Sequence, residues 1–302
     1  MKTYTTKNFN EQFPNDDACL DFLFKLRFPN GVYCDKCVKV TKHYKRSGGK
    51  FYACEFCGRG ISPTAGTIFH KSDTPLCSWF HAIFLMSSTK TGISAKQLQR
   101  ELGVTYKTAW RIFNQIRKLM SENVNPLTGQ VEVDESYFGG RKPGKRGRGA
   151  SGKAIVMGMV ERDGNAITKV VPNVQARTLL PMIEARIARE GKTVIFTDEL
   201  ASYNHIERLG YAHEIVQHAA KQYVNGTAHV NTIESLWSNI KRGISGVNHS
   251  VSPLYLQSYL DSYVYRYNHR KDETPLFLSL LERVATLKQV EQPSLGDFQT
   301  AS

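Results

Sequence analysis

No stretch of the 302-residue chain approaches the roughly 18 uninterrupted apolar residues of a membrane-spanning helix, and the opening "MKTYTTKNFNEQF" has no signal-peptide core. No membrane partner is therefore expected, and the protein reads as cytoplasmic. Acidic residues are in deficit, with 27 Asp and Glu against 40 Lys and Arg, a formal charge of +13 and a pI near 9.4. That imbalance favours a polyanionic partner, nucleic acid ahead of anionic lipid. Cysteine is scarce, six in all, and four of the six stand in two C-x-x-C pairs. In a reducing compartment this argues against disulfides and for metal. No internal repeat is present. What remains is a 41% hydrophobic content, ordinary for a globular chain long enough for two domains or more.

Residues 1–28 read as a helical lead, with Asp16 or Asp17 capping the apolar run "ACLDFLFKLRF" and Cys19 in its core. A short-stranded, Gly-containing segment follows to about residue 72, then a helical one over 73–122. Asn123, Asn125, Pro126 and Gly129 mark a linker, after which short apolar runs alternate with helical stretches in an α/β pattern. "KAIVMGMVERDGNAITKVV" predicts two strands joined at Asp163-Gly164. "RTLLPMIEARIARE" predicts a helix stopped at Gly191, and "TVIFTDE" a further strand, so the sheet is mixed. Residues 286–302 read as a tail.

"CDKC" at 34–37 and "CEFC" at 54–57 are separated by 16 residues, the spacing of a zinc ribbon. Cys34, Cys37, Cys54 and Cys57 supply four thiolates and leave no open position for water, so the Zn²⁺ would be structural. Lys36, Lys39, Lys42, Lys45, Arg46, Lys50 and Arg59 surround the pairs and suit phosphate.

In "TGISAKQLQRELGVTYKTAWRIFNQIRKLM", Ser94 can cap a first helix, Gly103 supply a turn, and Thr105 cap a second helix running to about Met120. Ala109, Phe113, Ile116 and Met120 form its apolar stripe. Lys107, Arg111, Asn114 and Lys118 are left to approach a groove, as in a helix-turn-helix; the bland reading is a helical hairpin in a core.

"GQVEVDESYFGG" reads as a strand with Glu132, Asp134 and Ser136 on one face and Val131 and Val133 on the other. Asp198 falls at the carboxyl end of the run "TVIFTDE", where open α/β sheets carry ligand sites. In "HVNTIESLWSNIKRG", residues 229–243, Ile233, Leu236, Trp237 and Ile240 form a core stripe, while Glu234 shares the other face with Asn231, Ser238 and Lys241. Three carboxylates on separate elements can converge on a hard cation, Mg²⁺ or Mn²⁺, for in-line displacement at phosphorus.

This order of ribbon, helix-turn-helix, Asp134, Asp198, 35 intervening residues, Glu234 and a Lys seven residues on resembles the DDE transposases of bacterial insertion sequences. More narrowly, "VEVDESYFGGR", "FTDE", "HVNTIESLWSNIKRG" and "YRYNHR" resemble the zinc-ribbon-headed ISXO-type group. The resemblance covers roughly residues 10–285. It implies a ribonuclease H-like catalytic domain over 123–285, behind the ribbon at 29–72 and the helix-turn-helix at 73–122. It also implies binding of terminal inverted repeats, nicking, and joining of 3′-hydroxyls to double-stranded target DNA. On it, Asp134, Asp198 and Glu234 are the metal ligands and Lys241 a DNA contact. The group carries Asn at its third position, and Asn231, one turn before Glu234, is read as an auxiliary ligand. A homodimer or higher oligomer on DNA is expected.

"GGRKPGKRGRGASGK", residues 139–153, reads as a loop gripping the phosphate backbone through Arg141, Lys142, Lys145, Arg146 and Arg148. His218 and His229 read as structural hydrogen-bonders, and the Tyr-rich "YLQSYLDSYVYRYNHR" as core, with Arg266 and Arg270 available to DNA. A Tyr nucleophile has no Arg-His-Arg arrangement to activate it. Two other readings stand beside the transposase: a transcription regulator with a non-catalytic α/β half, and a ribonuclease H-like nuclease that cuts without joining.

Overall fold

The computed structural model describes residues 4–46, 48–139, 153–189, 193–216 and 229–286. Its chain falls into two compact units, Met1–Leu119 with Asp272–Ser302, and Met120–Lys271.

In the first unit α1 (Thr6–Gln12) starts from a capping box at Thr5. Helix α2 (Asp16–Arg27) is capped by Asn15, whose side chain accepts the Ala18 N–H at 2.9 Å. The cap is therefore Asn15 and not Asp16 or Asp17. Asp16 and Asp17 sit in the first turn, where the helix dipole favours them, and Asp16 is left to accept the Cys77 N–H at 2.8 Å. Cys19 is fully buried. Strand β1 (Val32–Cys34) pairs antiparallel with β2 (Lys39–Thr41). Strands β3 (His43–Lys45), β4 (Tyr52–Cys54) and β5 (Gly60–Ile61) form a second antiparallel sheet. Helices α3 (Leu76–Ser88), α4 (Ala95–Leu102) and α5 (Tyr106–Leu119) follow, burying Trp79, Phe80, Ile83, Leu98, Ala109, Ile112 and Ile116.

In the second unit β6 (Gln130–Phe138), β7 (Ala154–Glu161) and β8 (Ala166–Val171) form an antiparallel meander. The β7–β8 turn holds Asp163 at φ +59°, a conformation Asp tolerates, directly before Gly164. After α6 (Ala176–Arg186), strand β9 (Val194–Thr197) pairs parallel with β6, and β10 (Ala212–Ile215) parallel with β9. The sheet order β10-β9-β6-β7-β8, with helices on both faces, is the ribonuclease H-like arrangement. Helix α6 ends at Arg186, short of the sequence expectation, because Ile187 leaves it to bridge Leu127 and its carbonyl accepts the Tyr211 hydroxyl at 2.8 Å. Helices α7 (Asn231–Gly243) and α8 (Pro253–Asn268) cover the face that carries Phe138, Val156, Val160 and Phe196; α6 covers the face of Val131, Val133, Met157 and Ile195. Helices on both faces leave β6 little exposed to water, so an acid on it is an exception that needs a partner.

The last described helix, α9 (Leu276–Thr286), belongs to the first unit, whereas the sequence reading ran the catalytic part on to 285. Its Phe277 ring stands 5.8 Å from those of Phe9 and Phe13 and 5.7 Å from that of Phe84, so the aromatic cluster draws the chain back. Among the described residues no helix is long and apolar enough to cross a membrane.

Candidate functional site

The two cysteine pairs are built alike. Val38 N–H donates to the Cys34 carbonyl at 2.8 Å and Gly58 N–H to the Cys54 carbonyl at 3.0 Å, each turn closing with a positive φ, +53° at Val38 and +72° at Gly58. The folded knuckles bring the four sulfurs within 4.8 Å of one another, with Cys34 Sγ 3.5 Å from Cys57 Sγ and Cys37 Sγ 3.8 Å from Cys54 Sγ. A tetrahedral zinc with Zn–S of about 2.3 Å has sulfur–sulfur edges of about 3.8 Å, so the cluster fits that ion. The Thr41 hydroxyl lies 3.3 Å from Cys54 Sγ and draws its thiol down to about 5. Cys37, hydrogen-bonded to Cys57 and the other sulfurs, is pushed up to about 12. Thiols so close share protons unless a cation neutralises them.

The acidic site is assembled from three elements of the second unit. Asp134 stands in mid-β6, opposite Gly158 of β7, and Asp198 follows the last residue of β9, the strand on the other side of β6. Glu234 lies in the first turn of α7, whose apolar stripe of Ile233, Leu236, Trp237 and Ile240 is buried as the periodicity requires. Burial raises the Asp134 carboxyl from 3.8 to about 6, and the charges of Asp198 and Glu234 push it the same way, while hydrogen bonds from the Glu135 backbone and Trp237 oppose them. The structure therefore brings these three acids within electrostatic reach. Asp198 is oriented by the Leu200 N–H, which donates to its Oδ1 at 3.0 Å. Desolvation lowers the pKa of Lys241, Asp134 raises it and Lys153 lowers it, so this ammonium also stands by the site, with Nζ 5.8 Å from the Phe138 ring centre. Asn231 and Ser238 are exposed on the helix face of Glu234. Among the described residues only the thiols meet a one-ion spacing, so the carboxylates are spread more widely than the sulfurs. Their hard oxygens suit Mg²⁺ or Mn²⁺.

Several residues were given no role at this site by the sequence. Trp237 donates its indole N–H to Asp134 Oδ2 at 3.0 Å. Glu135, on the opposite face of β6, accepts the hydroxyl of the buried Tyr203. Glu132, placed by its alternation beside Asp134, is buried against Arg162 and His229. The available signal was Val230, an N-cap with no side-chain acceptor, which calls for a partner from elsewhere.

In the first unit, α4 and α5 are joined through Gly103 at φ +63°, with Ser94 and Thr105 capping them by bonds from Gln97 N–H at 3.1 Å and Thr108 N–H at 3.3 Å. Lys107 and Lys118 are exposed. Arg111, also exposed, is engaged within the unit: Nη2 donates to Ser72 Oγ at 3.2 Å and Thr74 Oγ1 at 3.3 Å, and the guanidinium lies 5.5 Å from the Trp79 ring centre. Asn114 is part-buried and donates to the Trp110 carbonyl at 2.9 Å. On α8, Tyr259 and Tyr265 are buried and Tyr263 and Tyr267 half-buried against the core, whereas Tyr255, at the start of the stretch read as core, is exposed. Arg266 donates to the Ser262 carbonyl at 2.8 Å and Arg270 to that of Gly164 at 3.0 Å. Arg141, Lys142, Lys145, Arg146, Arg148 and His218 lie outside the described residues.

Residues 126–268 match the family model described as the ISXO2-like transposase domain, and residues 14–60 match the transposase zinc-ribbon domain. An uncharacterised protein in transposable element ISH50 of Halobacterium salinarum is 30% identical over 269 residues, covering 82% of this chain and 90% of the relative. The chain belongs to the ISXO2-like transposase family. An uncharacterised transposase-like protein of Haemophilus influenzae is 26% identical over 128 residues, 42% of this chain and 94% of that one. Among solved structures, the catalytic core domain of BIV integrase is 12% identical with a TM-score of 0.33, covering 51% of this chain and 93% of that chain. The Mos1 strand transfer complex is 13% identical with a TM-score of 0.31, covering 70% and 79%. At such scores the strand order, not the superposition, assigns the fold. This ISXO2-like transposase thus joins a zinc-ribbon domain to a ribonuclease H-like DDE domain.

Proposed function

We propose that this ISXO2-like protein is an active DNA transposase: it binds the inverted repeats at its element's ends, nicks the DNA, and joins the 3′-hydroxyls to target DNA. The observation that carries the reading is geometric: Asp134 in mid-β6, Asp198 just past the end of the neighbouring β9, and Glu234 on α7, which is bonded to β6 through Trp237 and Ile233. Burial raises the Asp134 carboxyl and the charges of Asp198 and Glu234 add to it, a repulsion that a divalent cation would relieve. Asp134, Asp198 and Glu234 hold Mg²⁺ or Mn²⁺, with Asn231 auxiliary. Such ions, when bound, would supply the activation of a water or 3′-hydroxyl and the charge that stabilises the leaving oxygen. Lys241 places its ammonium beside Asp134 and neutralises an incoming phosphate. Trp237 keeps the Asp134 carboxylate turned to the site. A structural Zn²⁺ on Cys34, Cys37, Cys54 and Cys57 holds the ribbon, which, with Lys107 and Lys118 of α5 and the basic residues Arg141, Lys142, Lys145, Arg146 and Arg148, engages double-stranded DNA. Arg111 joins them when it leaves Ser72 and Thr74. Two or more copies assemble on the ends.

The test is incubation of the purified chain with duplexes carrying the element's flanking ends and Mg²⁺, read on a denaturing gel. Nicked and joined products are expected. Nicks without joined strands would make it a nuclease, and end-specific binding without cleavage would make it a regulator.

A further inference from the structure

Glu132 precedes Asp134 by two residues on the same face of β6 and is wholly buried. Its two carboxylate oxygens serve different partners. Oε2 accepts the backbone N–H of Ile233 at 2.9 Å, while Oε1 accepts the Arg162 Nε–H at 2.8 Å and lies 3.2 Å from His229 Nδ1 without a hydrogen bond to it. Arg162 in turn spans strand and helix: Nη2 donates to the His229 carbonyl at 2.7 Å, its backbone N–H to the Gln130 carbonyl at 2.9 Å, and its guanidinium stands 4.1 Å from the Phe196 ring centre.

Ile233 is the third residue of α7, the position whose free N–H a Ser or Asp cap ordinarily satisfies. Val230 cannot do so, and a carboxylate brought from the neighbouring strand takes the role while facing the positive end of the helix dipole. The next residue is Glu234. One side chain therefore ties the strand two residues from Asp134 to the helix one residue from Glu234. A buried ion pair is a weak source of stability, because desolvating two charges offsets most of their attraction. Its particular effect here is geometric: helix α7 can neither slide nor turn on β6 without breaking a buried bond.

We propose that Glu132, clamped by Arg162, is the positioning group that sets α7 against β6 so that Glu234 shares a metal site with Asp134. The inference rests on the catalytic reading above. Glu132 and Arg162 act through the helix they hold.

The test titrates Mn²⁺ alone into the full-length protein, following free Mn²⁺ by electron paramagnetic resonance, with DNA affinity and the melting temperature of the metal-free protein measured alongside. Glu132→Gln preserves size and one acceptor but removes the charge. It should weaken Mn²⁺ binding about 10- to 100-fold, as loss of groups that orient metal ligands does, and slow nicking to match, with end-DNA affinity within about twofold of wild type. Arg162→Lys, which keeps the charge but cannot bridge strand and helix, should shift Mn²⁺ binding in the same direction by less. It carries the test alone if Glu132→Gln does not fold. Wild-type Mn²⁺ affinity in folded Glu132→Gln or Arg162→Lys, even with a lowered melting temperature, overturns the inference and leaves a merely structural ion pair. Asp134→Asn and Glu234→Gln are the controls. Mn²⁺ binding undiminished in both would bring down the catalytic reading, and this inference with it.

Discussion

Trp237 reaches Asp134 by lying across Gly158. The indole N–H donates to Asp134 Oδ2 at 3.0 Å, and a Cβ built on Gly158, the partner of Asp134 across β6 and β7, would stand 2.5 Å from Trp237 Cζ2. The glycine is required by this close approach and not by its backbone angles. It lets an α7 side chain descend far enough onto the sheet to fix a carboxylate of the candidate metal site.

Gly158→Ala should therefore lower stability by about 1–3 kcal/mol, the usual penalty of overpacking, and displace the indole from Asp134. In the double variant with Trp237→Phe the two losses should be less than additive, because the smaller ring leaves room for the methyl group. Urea melts of the four proteins measure this coupling. Strict additivity would show that ring and glycine do not compete for the same space.

Glu234→Gln should keep α7 intact, since Ile233, Trp237 and Ile240 still pack, while removing a charge the cations need. Near-wild-type DNA affinity and melting temperature are expected, with nicking and joining reduced by orders of magnitude. Asn231→Ala should do less harm. Robust strand transfer by Glu234→Gln beside an inactive Asn231→Ala would move the third ligand back one helical turn.

One zinc per chain is expected by metal analysis, lost in Cys34→Ser and kept in Cys77→Ser, because Cys77 hydrogen-bonds to the Phe13 carbonyl and lies outside the four-sulfur cluster. Full zinc occupancy in Cys34→Ser would remove that residue from the site.

DNA affinity should fall steeply with salt. Lys107→Ala should relax discrimination between element ends and random duplex by about 1–3 kcal/mol if its amine reads a base edge. Arg111→Ala should show a mixed effect, since its guanidinium also ties α5 to Ser72 and Thr74. Competition binding at fixed ionic strength separates these effects, and unchanged discrimination in both variants would rule out α5 as the reader.

Without metal, Asp134 titrates at about 6 in the folded protein against 3.8 for the free carboxyl. Between these values the folded state holds more protons than the unfolded one, so stability falls as pH rises through the window, by at most about 3 kcal/mol, and levels off above it. In chelator, Asp134→Asn should flatten that slope. Melting curves collected from pH 4 to 7 provide the measurement.

The pieces that could be read along the chain depend on local rules. The C-x-x-C spacing, Ser94 and Gly103 at helix ends, the Asp163-Gly164 turn, the buried stripe of α7 and the place of Asp198 after an apolar run all follow from periodicities and caps spanning a few residues. Glu132 was legible only as a polar residue on the face of Asp134. Nothing near it in sequence announces that its partners are Arg162 and the N–H of Ile233, which is 101 positions away.

The sequence by itself determined which elements form, where the thiols fold into knuckles, and which faces of β6 and α7 carry acids. It did so because strand alternation, helical period and turn chemistry are properties of neighbouring residues. Tertiary structure alone decided that Trp237 would hold Asp134, that Arg111 would rest on Ser72 and Thr74, that Phe277 would draw α9 back to the first unit, and that a buried carboxylate would cap α7. Each of these depends on packing and desolvation between distant segments, where a side chain's partner is set by which surfaces meet rather than by its place in the chain.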